Sequence, residues 1–121
     1  MCGNESLSNQ EIASGLRVLG TLLERSFPGA RELRRQMHLL DAEVIDDNGS
    51  LSLRPAIVIP AEVDRRIPVE ASYDDVDGMS VHVLVHVVDG LLDELEIYRD
   101  DLALVILAAD EALNLRIEDW T

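Results

Sequence analysis

Two turn signals with the same letters, Val76-Asp77-Gly78 and Val88-Asp89-Gly90, divide residues 67–99 into three runs in which apolar and polar residues alternate. Alternation with a period of two marks strands with one buried face, and a Gly-closed turn between such runs marks a hairpin. A three-residue loop ending in Gly suits a type I turn followed by a left-handed residue at a G1 bulge. Applied at both turns, it predicts strands near 67–74, 80–87 and 91–99 and sets their register. Asp75 pairs with Met79, so Tyr73, Ala71, Val69 and Ile67 lie opposite Val81, Val83, Val85 and Val87. Val87 pairs with Leu91, so Val85, Val83 and Val81 lie opposite Asp93, Leu95 and Ile97. Nearly all the apolar residues then share one face. A slip of one residue inverts every side chain, so agreement at two turns is informative. The opposite face receives Glu70, Ser72, Asp74, His82, Leu84, His86, Leu92, Glu94, Glu96 and Tyr98.

The flanking segments follow simpler rules. Ser8-Asn9-Gln10-Glu11 fits a capping box, and Ile12, Leu16, Leu19, Leu22 and Leu23 behind it recur at helical spacing. Gly15 and Gly20 weaken that helix unless a neighbour packs closely against them. Pro28 suits the first turn of a second helix running to about Met37, with Leu33 and Met37 inward and Arg31, Arg34 and Arg35 outward. Leu40, Ala42 and Val44 alternate, Asp46-Asp47-Asn48-Gly49 reads as a turn, and Leu51 and Leu53 alternate again. Ala56–Ile59, bracketed by Pro55 and Pro60, reads as an edge strand or a bridging segment. Leu102–Leu107 reads as a further strand, followed by a short helix or turn near Asp110-Glu111 and by alternation at Leu113, Leu115 and Ile117. The expectation is one α+β domain over residues 1–121, with 1–7 a mobile lead-in. Two N-terminal helices pack on the valine face of a largely antiparallel β-meander.

Charge narrows the partners. With 24 Asp and Glu against 10 basic residues, all of them arginine, the 121-residue chain carries a formal net charge of −14. Phosphate backbones and anionic membranes repel such a surface, so nucleic acid and membrane are unexpected partners, and basic proteins are attracted. The single cysteine, Cys2, allows no internal disulfide. The longest apolar run, Leu102–Ala109, is less than half of the ~20 residues a spanning helix needs. A cytoplasmic location is expected.

No constellation points to catalysis, a metal or a cofactor. On one strand His82 and His86 stand four residues apart, about 13 Å, too far for one ion. Asp75-Val76-Asp77-Gly78 echoes a calcium loop but puts Tyr73 and Leu84 where its first and last ligands belong. In the expected register His82 faces Glu96 and Ser72, a cross-strand pair that would serve as a general base only inside a water-excluding site.

Phe27-Pro28-Gly29-Ala30-Arg31-Glu32-Leu33-Arg34-Arg35-Gln36, Pro68-Val69-Glu70-Ala71, Asp75-Val76-Asp77-Gly78, His86-Val87-Val88-Asp89-Gly90 and Leu95-Glu96-Ile97-Tyr98-Arg99 together resemble a family of small, uncharacterised acidic bacterial proteins of actinobacterial type. The similarity spans roughly residues 17–99. It implies a shared fold and no catalytic residue. In size and charge alone the chain is similar to the immunity proteins of bacterial toxin systems. The expected function is therefore binding of a basic protein partner, such as a nuclease-like toxin, through Glu70, Asp74, His82, Leu84, Leu92, Glu94, Glu96 and Tyr98. A small enzyme using His82 and Glu96, and a structural homodimer, are the alternatives.

Overall fold

The computed structural model describes the backbone of residues 2–120 and the side chains from Asn9 onward. Helix α1 spans Cys2–Leu23. It begins well ahead of the expected capping box, so Ser8 occupies an interior helical position and residues 2–7 are helical. Val18, Leu19, Leu22 and Leu23 are buried along its inner stripe. Gly15 lets the helix lie close to the sheet, because a Cβ there would stand 2.6 Å from Leu51 Cδ1. Gly20 shows no comparable approach, since the atom nearest an added Cβ, Met37 Cε, is 3.9 Å away.

After Phe27, Gly29 turns the chain in a left-handed conformation and helix α2, Ala30–Gln36, follows. Leu33 and Gln36 are buried and the three arginines face outward, with Met37 in a short 3-10 turn and only half-buried. The hairpin β1 (Leu40–Val44) and β2 (Leu51–Pro55) forms around the expected Asp-rich turn. The meander β3 (Val69–Asp74), β4 (Ser80–Val88) and β5 (Leu91–Arg99) forms as well. A final short strand, β6 (Arg116–Asp119), pairs antiparallel with β3. The six strands run in the order β1-β2-β5-β4-β3-β6, all antiparallel.

The first meander turn has the expected register: Tyr73 lies opposite Val81, Ala71 opposite Val83, and the Asp75 N–H donates to the Met79 carbonyl. The second departs from expectation. Asp89 and Gly90 both have positive φ, 52° and 78°, and Val88 pairs directly with Leu91. That is a two-residue turn of the I′ kind, which Asp-Gly favours. A bulge between Val87 and His86 then takes up one extra residue, Asp93, so His86 faces Glu94, Val85 faces Leu95 and Val83 faces Ile97. Pairing along β4–β5 is thus two residues away from the expected register. The face assignment survives because two is the side-chain period.

Val81, Val83, Val85 and Val87 are buried with Leu95 and Ile97 beneath the helices. The expected faces fail between the turn and the bulge: Leu91 pairs with Val88 instead of Val87, and Asp93 is exposed. Leu92, opposite Val87, lies on the core side, 1% exposed, and is no part of the outer surface. Residues 56–59 are irregular, so of the two readings the bridging segment holds and the edge strand does not. One further expectation fails. Residues 102–107 form an irregular strap, tethered where Ile106 and Leu107 N–H groups donate to Asp75, Val105 N–H donates to Asn48, and the Tyr73 hydroxyl donates to the Leu107 carbonyl. Its alternation presents Leu102, Leu104 and Ile106 to solvent. Among the described residues no helix is long and apolar enough to cross a membrane.

Candidate functional site: the open face of the sheet

Both helices cover the valine face, and the alternating burial of β4 leaves its other face half-exposed along its length. That outer face carries Asp41, Glu43, Glu70, Asp74, Glu94, Glu96 and Glu118 against Arg54 and Arg116. It is a strongly acidic surface. Leu84 sits near its middle, with Glu96 on one side and Glu70 on the other in the cross-strand row.

The two histidines take partners other than those expected. His82 lies opposite Tyr98 and stacks on its ring at 4.9 Å, and its Nε2 is 2.5 Å from Asp100 Oδ1. His86 Nε2 is 2.8 Å from Glu96 Oε1, a diagonal contact across β4 and β5. The expected His82–Glu96 pair does not form, because the two-residue turn and the bulge together move Glu96 opposite Leu84. Ser72 keeps its place opposite His82, and its hydroxyl accepts from Arg116, which also pairs with Asp74. Arg66, exposed in the loop before β3, donates from Nε to His86 Nδ1 at 3.3 Å. Burial, then the charges of Glu96, Asp100 and Glu70, raise the Tyr98 phenol above its ordinary range, so it stays protonated and able to donate.

Of the expected surface residues, Glu70, Asp74, His82, Leu84, Glu94, Glu96 and Tyr98 share this face and Leu92 does not. Arg66, Asp100 and Glu118 were missed. Arg66 and Asp100 lie in loops, where alternation gives no signal, and Glu118 depends on where β6 docks.

The motif residues have a different task. Arg99, buried at 4% exposure, binds Asp101 through two bonds and also reaches Asp77 and Asp75. Burial alone would raise the Asp75 carboxyl. The N–H groups of Ile106, Leu107 and Val76, with Arg99, outweigh it and hold the group below its ordinary range. Arg99 likewise lowers Asp77, and it lowers Asp101 to about 2 with help from the Ala103 N–H. One guanidinium therefore ties the first meander turn to the strap. Gln36, fully buried, donates to the Ile59 and Gly90 carbonyls and accepts from the Leu92 N–H. Both are fold-holding groups.

A second concavity of about 420 Å³ lies between α1, the β1–β2 turn and the strap. At its wall Ser14 and Arg17 both bind Asp110, joining α1 to the 3-10 turn Ala109–Glu111. These groups are consumed by one another, which makes the cleft a structural seam.

A family model described as a domain of unknown function (DUF6984) matches residues 9–107, from α1 through the strap, in line with the resemblance to an uncharacterised family. No curated protein and no solved structure matches the chain.

Proposed function

The chain belongs to that family, and we propose that it is a binding module for a basic protein partner, acting as an immunity-type inhibitor of a nuclease-like toxin. The observation that supports this best is the open sheet face, where carboxylates surround Leu84 and the stacked His82–Tyr98 pair. Nuclease clefts are basic because they hold phosphates, so a surface of spaced carboxylates competes for the same charges. Carboxylates at the rim speed encounter, and a half-buried Tyr with a protonated hydroxyl suits a hot spot. The same acidity disfavours a homodimer closed face to face, because Glu94 and Glu96 would meet their own copies.

The enzyme alternative has less support. His82 and Glu96 face different partners, and their surroundings are an open sheet surface where water is not excluded. The test is binding to a toxin domain encoded beside this chain, measured by stopped flow as salt rises. The association rate should fall steeply with ionic strength, and Glu94→Arg with Glu96→Arg should slow it at least tenfold. A partner whose association ignores both salt and charge reversal would refute the reading.

A further inference from the structure

We propose that His86, Glu94 and Glu96 form a binding site for a divalent transition-metal ion of the zinc class. One ligand atom from each of the three lies within 4.8 Å of the others. Bound zinc holds His nitrogen and carboxylate oxygen at about 2.0–2.2 Å, which sets tetrahedral ligands about 3.3 Å apart. The His86 Nε2–Glu96 Oε1 separation of 2.8 Å is a hydrogen bond that need open by only about 0.5 Å to reach that spacing, and small side-chain rotations bring in the Glu94 carboxylate. The bulge makes the trio. By absorbing Asp93 it sets Glu94 directly opposite His86, with Glu96 two residues further along the same face. The expectation of no metal rests on spacing along β4 alone and takes no account of the neighbouring strand.

Two observations favour a cation as the ligand. Glu94 is half-buried, and among the described residues no side chain donates a hydrogen bond to it or forms an ion pair with it. Two carboxylates on one strand therefore converge on a single imidazole, whose ring is only 14% exposed. An imidazole with two carboxylates suits zinc and its transition-metal neighbours better than calcium or magnesium, which take oxygen ligands. Three protein ligands leave a coordination position open to water or to a donor from another molecule.

Arg66 opposes this site, and that makes the proposal sharp. Its Nε–H donates to His86 Nδ1, which requires the imidazole proton to sit on Nε2, facing Glu96. A metal on Nε2 needs the other tautomer, with the proton on Nδ1, so Arg66 must swing out into solvent. Removing Arg66 should therefore tighten binding, whereas a contribution by general surface acidity alone would be changed little by a single neighbouring charge.

The site needs no protein partner, and its test stands apart from the partner reading. Zinc is titrated calorimetrically into the full chain carrying no histidine tag, with cobalt(II) visible absorption as a second readout. One ion per chain is expected. His86→Ala and the pair Glu94→Gln with Glu96→Gln should each weaken binding more than tenfold, and Arg66→Ala should tighten it several-fold. His82→Ala and His38→Ala should leave affinity unchanged, and circular dichroism confirms that each variant is folded. Absence of saturable binding, equal affinity in His86→Ala, or weaker binding in Arg66→Ala would overturn the proposal.

Discussion

Replacing Gln36 with Met removes the amide while keeping the length and nearly the volume of the side chain. Gln36 is fully buried, and its amide satisfies two carbonyls, of Ile59 and Gly90, and one N–H, of Leu92. The partners also fix the amide orientation, since the nitrogen must donate twice and the oxygen must accept. After substitution the Gly90 carbonyl keeps the Ala61 N–H at 2.8 Å, but the Leu92 N–H has lost its partner at the bulge. A buried unsatisfied group costs about 1–3 kcal/mol, and the Ile59 carbonyl adds about 1 kcal/mol in its half-open setting. A loss of about 3 kcal/mol is therefore expected, with no cavity to confuse it. At a urea dependence of about 1.5 kcal/mol per M, the unfolding midpoint falls by about 2 M. Hydrogen exchange at the Leu92 amide should accelerate at the same time. A midpoint within about 0.3 M of the parent, with the Leu92 amide still protected, would show that Gln36 fills space and does not clamp the turn.

The two Val-Asp-Gly loops should respond differently to the same change. Gly90→Ala places a Cβ 2.7 Å from the Ala61 carbonyl oxygen at a φ of 78°, whereas Gly78→Ala, at 88°, meets nothing within 4 Å. Thermal denaturation should show Gly78→Ala costing about 1 kcal/mol and Gly90→Ala at least twice that. Acid stability follows from Asp75, Asp77 and Asp101, whose carboxyls are held below their ordinary value of 3.8, Asp101 at about 2. Because the unfolded chain binds these protons more readily, their contribution is complete above about pH 4 and is lost as pH falls toward 2. Urea midpoints should drop across that window, and Asp101→Asn should flatten the drop. Leu102 has a φ of 62° and is 82% exposed, so Leu102→Asn should be neutral or stabilise by about 0.5 kcal/mol in chemical denaturation.

Alternation was legible wherever a strand had one face on the core. It identified all the strands of the meander and the first hairpin, and it sorted their faces except at residues 91–93, between the second turn and the bulge. The two-residue turn sets Leu91 opposite Val88 and Leu92 opposite Val87, and the bulge at Asp93 restores the expected faces from Glu94 onward. That bulge is marked in the sequence by Asp93-Glu94, two polar residues in a row between Leu92 and Leu95, which interrupt the period of two. The strap at 102–107 misled for another reason. Its apolar letters match a buried strand, but its amides are taken by Asp75 and Asn48, so they join no ladder, and Val105 and Leu107 pack against the core while Leu102, Leu104 and Ile106 face solvent. The acidic surface followed from composition and facing together. The side-chain partners on it did not, because His82 and His86 choose between carboxylates two residues apart.

Asp93 has a status unlike that of any neighbour in β5. In a paired strand the deletion of one residue inverts everything on one side of the cut, exchanging core for surface. Asp93 sits outside the pairing, between the partners of Val87 and His86. Its removal would leave every cross-strand pair in place and simply close the bulge. The strand thus holds one position where a frame-preserving deletion is tolerated, flanked by positions where the same event destroys the domain. Length variation along this hairpin should therefore concentrate at that single step.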